Sequence, residues 1–266
     1  MQHPFIESEL AEQFLKRLPS AMTLGDSSVE RVLLAEYGAV FVARGVTPPP
    51  VIVFEDGSAV KAFQSSLATR TARIGEHEFT LQRPAMDALV EAAGEARSRG
   101  LSITPRGADS GQRSYYMTVE LWQSRVEPGL DHWTRQGGLS AEQAELIRRL
   151  SPHEQVEPIF ELERQGIFFA KDLSKPIIYS VAPPGASQHL SLLAFDVREF
   201  DDPAVRAILN SHGWFQTVTS DLPHFTYLGM AESELSDAGL TKVGSDGRDF
   251  WVPRRASASI DEYRDR

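Results

Sequence analysis

Apolar residues recur at helical spacing in several stretches of the chain. In residues 7–18, Leu10, Phe14 and Leu18 fall on one face, and residues 84–99 repeat the pattern. Pro84 suits the first turn of the second helix, and Gly100 suits the position after its end. The same reasoning predicts further helices over residues 58–67, over 113–123, after the capping residues Ser140 and Ser151, after Asp202-Pro203, and over 231–238.

Other segments are rich in β-branched and aromatic residues, which favours strands. Strands are predicted over residues 38–44, 51–54, 101–104, 192–198, 214–218 and 225–228, and hairpins over 71–82 and 240–252. Residues 124–139 are predicted to be a loop, and the charged tail from Arg254 is expected to be loose. By this pattern the first 80 or so residues form a small α+β unit that contains no chemical motif.

Composition narrows the possible functions. Among 266 residues, 37 acidic side chains exceed 27 basic ones, which disfavours binding to nucleic-acid phosphates. No apolar run is long enough for a transmembrane segment. The absence of cysteine excludes disulfides, thiolate metal sites and a cysteine nucleophile, so any metal must be held by His, Asp or Glu. Residues 1–20 show no export signal, which predicts a cytoplasmic protein unless such a signal has been removed, in which case the periplasm or cell envelope is expected. The composition does not predict an oligomeric state.

Two histidines stand in surroundings that suggest chemistry. His189 follows a Pro-Pro-Gly turn and precedes Asp196 by seven residues. Seven is an odd number, so one flat strand would send the two side chains to opposite faces. They can converge only if His189 lies in a loop and the strand begins near Leu192.

The second histidine, His224, follows Asp221 by three residues at the start of a predicted strand. Two imidazoles and one carboxylate could hold a zinc ion with an open fourth position, and a second carboxylate could move the proton of the metal-bound water. The alternative is structural: Asp196 would cap a strand end, and His224 would pack beneath the turn at Pro223.

The chain resembles the zinc D,D-peptidases of bacterial cell walls, which include the VanY-type D-alanyl-D-alanine carboxypeptidases. Three motifs occur in the order that this family shows, and the resemblance covers roughly residues 84–252. The motifs are Ser110-Gly111-Gln112-Arg113-Ser114, then Ser187-Gln188-His189 with Ala194 and Asp196, then Asp221 with His224.

The resemblance implies a role for each matching residue. His189, Asp196 and His224 would be the zinc ligands, and Asp221 would be the catalytic acid or base. Arg113 would bind the carboxylate of the substrate, for which a planar guanidinium is well suited. Ser114 and Tyr115 would line the same pocket.

The resemblance also implies a fold and a division of the chain. We expect an α+β protein in which residues 83–253 form a D,D-peptidase domain (a hedgehog-like zinc peptidase fold) with a small, mostly antiparallel sheet and packed helices. Residues 1–82 would be an N-terminal appendage of unknown role, and residues 254–266 a loose tail.

Departures from the family pattern bear on the substrate. Leu192 replaces a glycine of the family, Gln188 a glutamate and Gln112 an aromatic residue, and Asp221-Leu222-Pro223 stands where Glu-Pro-Trp is usual. The last segment is more similar to related L-alanyl-D-glutamate endopeptidases. The resemblance therefore implies zinc-dependent hydrolysis of peptidoglycan stem peptides or muropeptides, with D-alanyl-D-alanine carboxypeptidase activity favoured. An endopeptidase that cuts L-alanyl-D-glutamate or a cross-link, and a noncatalytic zinc-containing envelope protein, remain alternatives.

Overall fold

A computed structural model describes residues 9–256 except residues 21, 23, 26 and 246. These residues form helices packed against small antiparallel sheets, which confirms the predicted α+β class. The α-helices are α1 (Glu12–Leu15), α2 (Ser28–Tyr37), α3 (Gly57–Ser66), α4 (Arg83–Ser98), α5 (Tyr115–Arg135), α6 (Ala141–Arg149), α7 (Val156–Arg164) and α8 (Pro203–Ser211). Single turns of 3₁₀-helix lie at Gly38–Val42, Ile177–Tyr179, Gln188–Ser191 and Glu232–Glu234.

The strands pair in three separate antiparallel sheets within the described residues. They are β1 (Thr69–Ile74), β2 (His77–Gln82), β3 (Ala194–Asp196), β4 (Trp214–Gln216), β5 (His224–Tyr227), β6 (Leu240–Ser245) and β7 (Arg248–Pro253). β1 pairs with β2, β6 pairs with β7, and β5 lies between β3 and β4. The two hairpins confirm the predictions for residues 71–82 and 240–252.

The three-stranded sheet lies in the middle of the main hydrophobic core. Phe195 of β3 and Trp214 of β4 are completely buried, and the ring of Phe79 meets that of Phe195 edge to face at 5.1 Å. Leu33 and Leu81, from the first 82 residues, belong to the same core. This burial of aromatic and aliphatic side chains anchors β3 and β5, whose ends carry the candidate ligands. The boundary near residue 82 stays a prediction.

Helix predictions with clear capping signals are confirmed, except that the helix expected directly after Ser151 begins only at Val156. Helix α4 matches residues 84–99, and Gly100 takes the left-handed conformation (φ +74°) expected just after a helix. Ser140 forms the predicted capping box with Gln143, and Asp202 caps α8 through a side-chain hydrogen bond. Helix α3 likewise matches the prediction for residues 58–67.

Predictions that rested on apolar runs alone were less accurate. Residues 38–44 were expected to form a strand, but Gly38–Val42 form a buried 3₁₀ turn, and residues 51–54 and 101–104 form no strand. A short apolar run fits any fully buried backbone, so composition does not distinguish these cases.

Some predicted boundaries also differ. Residues 124–139 are not a loop: α5 continues through Pro128 to Arg135, because Val126 and Leu130 fall on its buried face. The helix predicted over residues 231–238 is reduced to one 3₁₀ turn at Glu232–Glu234, and α1 covers only part of residues 7–18, of which 7 and 8 lie outside the described residues. None of the helices in the described part of the chain is long and apolar enough to cross a membrane.

Candidate metal centre

The segment that carries His189 turns sharply before it enters the sheet. His189 lies in the 3₁₀ turn Gln188–Ser191, and Leu192 takes a left-handed conformation (φ +59°) that leads into β3. This conformation costs a residue with a side chain about 1–2 kcal/mol, and the burial of the Leu192 side chain offsets that cost. The placement confirms the condition under which His189 and Asp196 can converge.

Asp196 and His224 meet because of strand register. Asp196 ends β3 and His224 begins β5, and the two residues lie directly opposite each other in this antiparallel pair. Residues in such a pair project from the same face of the sheet. One ligand atom from each of His189, Asp196 and His224 lies within 4.8 Å of the others, and all three residues are buried. The structure therefore brings the three predicted ligands together.

Hydrogen bonds on the outer side of each imidazole determine which nitrogen faces the centre. Nδ1 of His189 lies 2.7 Å from the carbonyl oxygen of Gly111, and Nε2 of His224 lies 2.8 Å from Oε1 of Gln188. Both partners are acceptors, so a proton on each of these nitrogens satisfies the contact. In that tautomer the opposite nitrogens, Nε2 of His189 and Nδ1 of His224, have lone pairs for a metal ion, and each lies 3.2 Å from Oδ1 of Asp196.

This arrangement fits a metal ion. Nε2 of His189 is buried without a hydrogen-bond partner among the described residues. Burial lowers the pKa of His189, which favours the neutral ring that a metal requires. Burial also opposes ionisation of Asp196, yet the neighbouring His189 and His224 hold its pKa well below the usual range. Two imidazole nitrogens and a carboxylate oxygen thus converge, and this combination of ligand atoms suits zinc.

The first motif of the resemblance supports the candidate metal ligands directly. The carbonyl oxygen of Ser110 accepts a 2.9 Å hydrogen bond from the backbone N–H of Asp196, and the carbonyl of Gly111 orients His189. A Cβ atom at Gly111 would lie 2.9 Å from Cδ1 of Phe79, so only glycine fits without displacing that ring. Sequence reasoning missed this supporting role, because backbone carbonyls leave no signature in a sequence beyond the glycine itself.

Arg113 contacts a candidate metal ligand. Its Nη2 donates a 2.7 Å hydrogen bond to Oδ2 of Asp196, and its Nε donates to the carbonyl oxygen of Asp109. The side chains of Arg113 and Asp196 are only 14% and 8% exposed. The guanidinium therefore fixes the carboxylate oxygen that points away from the imidazoles. Its implied role, binding the carboxylate of a substrate, stays a prediction.

A cavity of about 440 Å³ opens onto the three ligands. Arg113 and Asp221 line it, and the carboxylate of Asp221 makes no hydrogen bond or ion pair with the described residues. A second cation, Arg106, also lines the cavity; its side chain is exposed and has no partner in the described part of the chain. Sequence reasoning missed Arg106, which lies outside every motif.

Ser114 and Tyr115 lie outside this cavity. The hydroxyl of Ser114 caps α5 by accepting from the backbone N–H of Met117. Tyr115 packs in a small hydrophobic cluster with Phe54 and Leu190. The structure thus gives both residues a local structural role where the resemblance implied a place in the pocket.

Comparison with known proteins gives a remote structural similarity. No family model and no curated protein sequence matches the chain. Among solved structures, the LdcB LD-carboxypeptidase, which was described for its peptidoglycan recognition, aligns with 86% of this chain and 92% of its own. The aligned residues are 15% identical and the TM-score is 0.37.

Proposed function

We propose that the chain is a zinc-dependent peptidase that acts on the stem peptides of peptidoglycan. The observation that carries this proposal is the convergence of Nε2 of His189, Nδ1 of His224 and Oδ1 of Asp196, with the outer nitrogen of each ring held by an acceptor. Three such ligands are the set typical of a catalytic zinc site, which keeps its fourth position open for water or substrate.

The residues around the centre would have separate roles in peptide hydrolysis. A bound zinc ion would polarise the peptide carbonyl and lower the pKa of a water molecule to about 7. Asp221 has an unengaged carboxylate in the same cavity, so it would take the proton of the attacking water and transfer it to the leaving amine. Arg113 would keep Asp196 oriented throughout, since it holds the second carboxylate oxygen.

The substrate class rests on the three motifs and their order, and the assignment to the D,D-peptidase fold is part of the same proposal. Removal of a terminal D-alanine is the first candidate reaction. Arg106, a cation without a side-chain partner at the cavity, suits the free carboxylate of such a substrate. The periplasm or cell envelope is the proposed location, because intact peptidoglycan lies there, with cytoplasmic recycling of its peptides as the alternative.

An endopeptidase that cuts L-alanyl-D-glutamate or a cross-link is the second candidate. One observation favours it: Arg113, the residue expected to bind a terminal carboxylate, is already paired with Asp196. The segment from Asp221 to Phe225 is also similar to that of such endopeptidases.

Incubation of the zinc-loaded protein with purified muropeptides, with products identified by mass, tests the proposal. Loss of one alanine identifies a carboxypeptidase, and cleavage inside the stem or at a cross-link identifies an endopeptidase. The variant His189→Ala should bind no zinc and give no product. A wild type that binds zinc tightly but leaves every muropeptide intact would instead indicate a noncatalytic binding protein.

A further inference from the structure

Gln188 is a buried side chain that joins the metal centre to the end of helix α2. It is 3% exposed. Its Nε2 donates a 2.8 Å hydrogen bond to the carbonyl oxygen of Tyr37 and a longer one, 3.5 Å, to Oγ1 of Thr217. Its Oε1 accepts from Nε2 of His224 and from the hydroxyl of Thr226. The amide therefore has a partner at both ends.

These contacts fix the direction of the amide. A backbone carbonyl can only accept a hydrogen bond, so the NH₂ group of Gln188 must face Tyr37 and its oxygen must face His224. His224 meets an acceptor on each side, since its Nε2 lies 2.8 Å from Oε1 of Gln188 and its Nδ1 lies 3.2 Å from Oδ1 of Asp196. The contact with Gln188 is the shorter one, and a ring proton on Nε2 satisfies it and leaves the lone pair of Nδ1 for a metal ion.

We propose that Gln188 is a positioning residue that holds His224 in its metal-binding tautomer, and that the carbonyl of Tyr37 anchors it. This inference rests on the proposed zinc centre. Tyr37 is itself fixed, because its hydroxyl donates a 3.0 Å hydrogen bond to the carbonyl oxygen of Ile178 at the cavity. A residue from the first 82 thus becomes part of the support of the metal centre.

The proposal explains why an amide is suited to position 188. Glutamate would still accept from His224, but it would place a second acceptor oxygen against the carbonyl of Tyr37, where a donor is needed. Methionine has a similar length, and it would remove both the hydrogen bond to the carbonyl of Tyr37 and the one from His224. The two substitutions therefore separate the anchor at Tyr37 from the contact with His224.

The experiment compares Gln188→Met and Gln188→Glu with wild type and with a matched control. Gln155→Met is that control, because Gln155 is 2% exposed, accepts from the indole N–H of Trp122 and donates to the carbonyl of Ile147, but does not line the cavity. Zinc affinity is measured by competition with a chromophoric chelator. The ring ¹⁵N shifts of His224 in the metal-free proteins report its tautomer at mildly alkaline pH, and thermal unfolding confirms that each variant is folded.

We expect the wild type to show the Nε2–H tautomer and Gln188→Met to show a mixture, with zinc binding weakened about 10- to 100-fold, the range for loss of a partner that orients a ligand. Gln188→Glu should keep the tautomer but still bind zinc more weakly than wild type. Gln155→Met should keep both the tautomer and the affinity.

Three results would overturn the inference while leaving the zinc centre intact. They are an Nδ1–H tautomer in metal-free wild type, equal zinc affinity of Gln188→Met and Gln155→Met, and wild-type affinity of Gln188→Glu, which would remove Tyr37 as an anchor. A wild type that binds no zinc would overturn the proposed function itself.

Discussion

Replacing Arg113 by alanine distinguishes support of the metal from binding of the substrate. Its Nη2 lies 2.7 Å from Oδ2 of Asp196, and both side chains are largely buried. A charged hydrogen bond in such surroundings contributes about 1.5–3 kcal/mol. Since about 1.4 kcal/mol corresponds to a tenfold change in an equilibrium constant, Arg113→Ala should weaken zinc binding about 10- to 100-fold.

Arg106→Ala is the matched control for this prediction. Arg106 lines the same cavity and has the same charge, but its exposed side chain makes no hydrogen bond or ion pair with the described residues. Its loss should leave zinc affinity unchanged. It should instead lower kcat/KM for a stem peptide with a free terminal carboxylate and spare the amidated peptide, because only the free acid presents an anion.

The assay measures zinc affinity by chelator competition, then compares cleavage of acid and amidated stem peptides by zinc-saturated proteins. One result would refute the reasoning. If Arg113→Ala binds zinc as wild type does and also loses the preference for the free acid, then Arg113 binds the substrate as the resemblance implies. In that case its contact with Asp196 would be unimportant for the metal.

Three further predictions concern other parts of the molecule. Asp221→Asn should retain zinc but lose about 100-fold or more in turnover; loss of zinc content would make Asp221 a ligand instead. Gly111→Ala should lower stability by about 1–3 kcal/mol through its clash with Phe79 and weaken zinc binding through His189, whereas an unchanged unfolding midpoint would contradict this. Burial raises the pKa of Glu163 from 4.5 to about 8, so the folded protein holds this proton more tightly and stability should fall as pH rises between those values. In urea titrations, the free energy of unfolding of the wild type should fall by about 3–5 kcal/mol between about pH 5 and about pH 9, and Glu163→Gln should abolish this fall. An equal fall in both proteins would contradict the assignment.

The sequence predicts local structure best where one residue type fixes one backbone geometry. The cap at Asp202, the capping box at Ser140 and the glycine after α4 each fix backbone geometry through a hydrogen bond or a positive φ, and all three predictions are confirmed. The run at Gly38–Val42 was misread, because its side chains are buried on all sides and show no period that separates a strand from a turn.

The candidate ligands were predictable for a different reason. The distance in sequence between His189 and Asp196 excluded a single flat strand, so the sequence required a turn, and the structure has one at Leu192. The opposition of Asp196 and His224 depends on the register of β3 and β5, which are far apart in sequence. The local sequence pattern does not predict that Asp196 and His224 lie opposite each other, and only the resemblance to a family indicates it.

The hydrogen bonds around the centre link the three motifs, because residues of one motif hold side chains of another. The first motif, Ser110 to Arg113, contacts the candidate metal ligands of the second, through the carbonyls of Ser110 and Gly111 and the guanidinium of Arg113. Gln188 of the second motif in turn orients His224 of the third. Because the first motif holds candidate ligands of the second, and the second holds that of the third, substitution of these supporting residues should first lower metal affinity. In the proposed peptidase, selection between a terminal and an internal peptide bond would then depend on groups of the cavity wall outside the motifs, such as the cation Arg106.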